Sequence, residues 1–145
     1  MKINVKKVRE SAKLPTYGSQ YAAGADLYAC TEGEIEIAPH STAMIPTGIA
    51  LELPVGYAGF IYARSGLASK RGLAPANKVG VVDCDYRGEV IVALHNHGEN
   101  AQKIAAGERI AQLVVAPYIT ADFEEVDELS STERGAGGFG STGTK

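Results

Sequence analysis

At 145 residues the chain has single-domain length, and its 45% hydrophobic and 21% charged content is that of an ordinary globular protein. A net charge of −3 excludes a global basic field for nucleic acid or anionic membrane, so any anionic ligand must be held by a few placed cations. No run reaches the ~18 apolar residues of a membrane helix, and the opening MKINVKKVRE lacks the apolar stretch of a secretory signal. The expectation is an intracellular, cytoplasmic protein with no nucleic-acid partner, no membrane, and Cys30 and Cys84 as free thiols.

The predicted elements are short and β-rich. KINVKKV places Ile3 and Val5 on one face, and GEIEIAP alternates charge with Ile35 and Ile37. TAMIPTGIALELP follows, closed by Pro54. GYAGFIYA, VGVVD, GEVIVALHNHG and RIAQLVVAPYI are each strand-length, β-branched or aromatic, and bounded by Gly or Pro. One short helix is predicted, SGLASKRGL after Arg64. DFEEVDELS reads either as a helix, from the threefold spacing of Phe123, Val126 and Leu129, or as an exposed acidic edge strand. Seventeen glycines suit many tight turns, and nothing shows the strand–helix alternation of a parallel sheet. The expected class is all-β, an antiparallel sandwich or jelly-roll barrel over residues 1–131 with a glycine-rich arm over 132–145.

Several familiar patterns fail on context. The tail's Gly138, Gly140 and Gly143 match a dinucleotide fingerprint in spacing, but that loop must open a helix and the sequence runs only two residues further. HNH at 95–97 offers two same-face histidines without a third ligand, and no CxxC or HExxH is present. No all-protein metal site is expected.

Three stretches carry more. VGVVDCDYRGEV reads as a β-hairpin. Asp83 and Asp85 are either turn residues bonding their own backbone or, for Asp83 at a strand end, a rigid carboxylate able to deprotonate water. In ARSGLASKRG, the Arg64–Gly66 junction either starts a helix with Ser65 as its cap or gathers a guanidinium, a hydroxyl and backbone N–H groups around an anion. Gln112 in GERIAQLVV is a neutral amide inside an apolar strand, pointing outward or toward a ligand. Together these supply cations, neutral donors and one carboxylate base, the parts triphosphate hydrolysis needs.

AGADLYA (23–29), ARSGLASKRG (63–72), NKVGVVDCDYRG (77–88), GERIAQLVV (107–115) and RGAGGFGSTG (134–143) resemble the five motifs of the trimeric dUTPase family, in family order. The resemblance implies a jelly-roll-like β-clip barrel with one short helix, assembled as a homotrimer with active sites shared between subunits. It also implies hydrolysis of dUTP to dUMP and pyrophosphate with Mg²⁺ held by the triphosphate and water, limiting uracil incorporation into DNA and supplying dUMP for thymidylate synthesis.

Carried over by residue, Asp83 is the general base. Arg64, Ser65, Gly66 and Gln112 contact the phosphates, joined from the tail by Arg134, Gly140, Ser141 and Thr142. Asn77, Gly80, Val81 and Val82 read uracil, with Phe139 stacked on it and Tyr86 against the deoxyribose. Asp26 supports the phosphate site from behind. The arm closes over an active site of another subunit. Two rivals share much of this equipment, a dCTP deaminase of the same fold and a dUTP-sensing binding protein. The deaminase family carries an RSS-type motif and a glutamate, where this chain has RSG and Asp83.

Overall fold

β-Branched runs cut by glycine and proline give strands mostly of three to six residues, and antiparallel pairing lets such short strands share one core. The computed structural model describes residues 1–138. In chain order the strands are β1 (Asn4–Lys7), β2 (Thr16–Tyr17), β3 (Ala25–Tyr28), β4 (Ile35–Ile37), β5 (Thr42–Pro46), β6 (Ile49–Glu52) and β7 (Tyr57–Tyr62). Helix α1 (Ser65–Arg71) is followed by β8 (Leu73–Pro75), β9 (Gly80–Val82), β10 (Ile91–Asn96), β11 (Gln102–Ile104) and β12 (Arg109–Pro117).

The strands form four sheets, ordered β2-β3-β12-β7-β9, β5-β10-β8, β1-β6 and β11-β4. Every pairing among them is antiparallel. The sheets wrap one core that includes Leu27, Ile37, Ile45, Ile49, Leu73, Val92, Leu94, Ile104 and Ile110. The all-β class with one short helix is as expected, and the hydrogen bonding is not continuous around the barrel. Both cysteines are free, as the sequence implied. No described helix is long and apolar enough to cross a membrane.

The centre of HNH proves structural. Asn96 is fully buried, its amide donating to the carbonyls of Ile37 at 3.0 Å and Asn100 at 2.8 Å while its oxygen accepts from Gly98 N–H at 2.9 Å. Every polar atom that folding removes from water there has a partner. His95 bonds the Thr42 hydroxyl at 2.9 Å.

Two readings change. The apolar runs flanking Asp83–Gly88 do not pair as a hairpin: β9 joins β7, whereas β10 lies between β5 and β8. Residues 83–90 therefore form a strap between two sheets. The acidic segment is neither helix nor strand; residues 122–130 have no regular structure and are exposed throughout. Its apolar side chains Phe123 and Leu129 are 93% and 88% exposed, so nothing in the chain's own core fixes its conformation.

Candidate active site

The expected site residues collect in two clefts with no lining residue in common. The first, about 350 Å³, lies between β7, β9 and the strap and is lined by Asn77, Gly80, Val81, Val82, Asp83 and Tyr86, with Ile61, Glu89 and Met44. β9 is the outer strand of its sheet, paired only with β7. Along its other edge the backbone N–H and C=O groups are offered to whatever enters the cleft. Asp83 leaves β9 immediately, and its carbonyl accepts from Tyr86 N–H at 3.2 Å, closing the turn that brings phenol and carboxylate to one cleft. The Tyr86 hydroxyl donates to the Glu89 carbonyl at 3.1 Å. Below the turn, Cys84 Sγ lies 3.6 Å from the Tyr118 hydroxyl, a contact that raises the tyrosine pKa above its ordinary value.

The second cleft, about 240 Å³, is lined by Arg64, Ser65, Gly66, Gln112, Asp26, Arg109 and Gly24, among others. β7 delivers Arg64 to the start of α1, where it occupies the N-cap position without a side-chain capping bond, and Ser65 opens the helix as its first residue. Ser65 and Gly66 are exposed at the cleft mouth. Asp26 is only 9% exposed, and its two oxygens are divided between two cations: Oδ1 accepts from Arg64 Nε at 2.7 Å and Oδ2 from Arg109 Nη1 at 3.1 Å. One carboxylate so placed neutralises half the positive charge and orients both guanidinium groups. Gln112 donates its amide to the Ala63 carbonyl at 2.9 Å. A Cβ on Gly24 would collide with the Gln112 amide oxygen, so only glycine leaves that amide where it stands.

Arg109 and Gly24 were not singled out from the sequence. Both lie inside recognised motifs, GERIAQLVV and AGADLYA, and a cation at the entry of a strand otherwise poor in charge was the available signal for Arg109. Arg134 lines neither cleft; its Nε donates to the Gly137 carbonyl at 2.8 Å within an exposed turn. Phe139, Gly140, Ser141 and Thr142 lie outside the described residues. A larger cleft of about 520 Å³ beside Arg9, Cys30 and Glu32 contains none of the expected residues.

An edge strand and a carboxylate in one cleft, with paired arginines and an amide in the other, make an all-β chain equipped for a base and for an anion. Residues 10–143 match the model of the dUTPase family. The chain is 49% identical over 141 residues to the deoxyuridine 5'-triphosphate nucleotidohydrolase of Syntrophotalea carbinolica, covering 97% of this chain and 96% of that one. It is likewise 49% identical over 146 residues to the enzyme of that name from Desulfitobacterium hafniense, at 99% and 97% coverage. Its fold superposes on the dUTPase of Staphylococcus bacteriophage 80alpha solved with dUpNHpp, with a TM-score of 0.89, 29% identity and 98% of each chain covered. The chain belongs to the dUTPase family.

Proposed function

We propose that this chain hydrolyses dUTP to dUMP and pyrophosphate, with Asp83 taking the proton of a water that attacks the α-phosphorus in line. The observation that carries this reading is the first cleft, where an unpaired strand edge, a carboxylate at the strand's end and a phenol face the same space. The edge of β9 supplies alternating donors and acceptors to the pairing face of uracil. Cytosine reverses one of those donor–acceptor pairs, and the methyl of thymine adds bulk where the strand is close. Tyr86 walls the sugar and leaves no room for a 2′-hydroxyl.

Arg64, Ser65, Gly66 and Gln112 hold the phosphates, and the pairing of Asp26 to both arginines supports their alignment. Such fixed cations stabilise charge as it develops on the transferring group without reorganising at the moment of reaction. Among the described residues no three His, Cys, Asp or Glu side chains gather to hold a metal ion. In this reading Mg²⁺ enters with the triphosphate, whose charge it offsets.

In this reading the base-side and phosphate-side clefts, which share no lining residue, are completed between copies in a homotrimer. Residues 132–145 then form an arm that closes over an active site, placing Arg134 near the terminal phosphates, Phe139 on the uracil ring, and Gly140, Ser141 and Thr142 as donors to the γ-phosphate. Closure of such a segment excludes water from the reacting centre.

The test is release of pyrophosphate and of ammonia from dUTP, dTTP, dCTP and UTP with Mg²⁺. Pyrophosphate from dUTP alone is expected; ammonia from dCTP would make the chain a deaminase. Replacing Asp83 by Asn should keep dUTP binding and lower turnover by about 10²–10⁴-fold, the range of general-base removal. Unchanged turnover would remove Asp83 from the base role, and binding without turnover in the unaltered chain would make it a nucleotide sensor.

A further inference from the structure

Tyr86 is held from two directions. Its hydroxyl bonds the Glu89 carbonyl at 3.1 Å, and a methyl group on Gly88 would collide with that hydroxyl and the ring carbon that bears it. Glu89 is itself pinned. Its Oε1 accepts from Arg9 Nε at 2.7 Å and from Gly48 N–H at 2.8 Å, and its Oε2 accepts from Arg9 Nη2 at 3.0 Å. The Arg9 bond holds the Glu89 carboxyl below its ordinary value. Arg9 sits in the turn after β1, where Val8 N–H bonds the Gly48 carbonyl at 2.8 Å and Ala12 N–H bonds the Arg9 carbonyl at 3.2 Å. It lies outside every recognised motif and one residue before the family match begins at residue 10.

We infer that Arg9, acting through Glu89, is a positioning residue that sets the discrimination between deoxyribose and ribose triphosphates by locking the Tyr86 ring. The inference rests on the reading of Tyr86 as the sugar wall. A two-pronged arginine–carboxylate pair has a single preferred geometry, which a lysine cannot reproduce. With the Arg9 side chain 49% exposed, the pair adds little to folding stability, so geometry is its main contribution. Glu89 lines the cleft beside Tyr86, and its carbonyl is the acceptor that decides where the phenol stands. When Arg9 is lost, Glu89 keeps the Gly48 bond alone. Val90 stays held by Ile49 and Thr47, so the freedom gained lies on the Asp83 side of it, where the strap loosens and the ring swings enough to admit a hydroxyl.

The experiment compares kcat/KM for pyrophosphate release from dUTP and UTP in the full chain and in Arg9→Ala, Arg9→Lys, Tyr86→Phe and Tyr86→Ala, with a thermal melt of each. Arg9→Ala should raise UTP relative to dUTP by about 10-fold or more, the scale of one pocket contact. Arg9→Lys should recover part of the selectivity. Tyr86→Phe, which keeps the ring and loses only the bond to Glu89, should shift the ratio in the same direction. A loss of packing alone would lower the melting temperature without moving this ratio. An unchanged ratio in Arg9→Ala, with Tyr86→Ala shifted, overturns the role of Arg9. An unchanged ratio in Tyr86→Ala overturns the sugar-wall reading beneath it.

Discussion

Asp26 and Gln112 are direct partners across the β3–β12 ladder, so a carboxylate and an amide stand side by side on one face of the central sheet. Both line the second cleft, and each is tied to the segment that leads into α1: Asp26 to Arg64, and Gln112 to the Ala63 carbonyl. Asp26→Asn keeps the shape but removes the charge shared by Arg64 and Arg109. It should lower stability on the order of 2 kcal/mol, between an exposed and a buried ion pair. Turnover of dUTP should fall as well. Calorimetric melts and steady-state kinetics check the two effects separately.

Gly24→Ala probes the same cleft without touching any charge. The added methyl displaces the Gln112 amide, and losing its placement should weaken phosphate binding by about 1–2 kcal/mol, roughly 5–30-fold in KM. The melting temperature should move far less than in Asp26→Asn. A KM within experimental error of the unaltered chain would show that Gln112 makes no contact with the nucleotide.

Acid should act on the strap. The Glu89 carboxyl is held below its ordinary value of 4.5 by the hydrogen bond from Arg9, opposed by partial burial. The pair's small contribution to stability is therefore complete above pH 4.5 and is lost as pH falls through the lower folded value. Glu89→Gln should flatten this acid limb in a plot of melting temperature against pH by lowering the plateau above pH 4.5, while the acid end, where Glu89 is already protonated, changes least.

Ending the chain after Ser131 removes Arg134 and the glycine-rich arm. Residues 122–138 contribute no strand or helix, so circular dichroism should be unchanged while pyrophosphate release from dUTP is severely reduced. Near-normal turnover would show that the arm is dispensable.

What the sequence made legible was local. Strand-length runs, the helix after Arg64 and the buried alternation of β10 follow from short-range pattern and chain stiffness. Partner choice does not. β9 and β10 flank a turn that suits a hairpin, yet β9 finds β7 and β10 finds β5, because long-range burial outweighs proximity along the chain. The same limit hid Arg109, whose acceptor Asp26 is 83 residues away. It hid Arg9 too, an ordinary surface cation until Glu89 is seen beside it. The acidic segment was ambiguous because its apolar side chains find no core within the chain to choose between helix and strand.

The absence of any shared residue between the two clefts makes their failures separable by inheritance. A chain carrying Asp83→Asn keeps a sound phosphate cleft, and one carrying Arg64→Ala keeps a sound base cleft. In the proposed homotrimer each alone would assemble only defective centres. Mixed in one assembly whose centres draw the two clefts from different copies, the two inactive chains complement, and some centres inherit both intact halves.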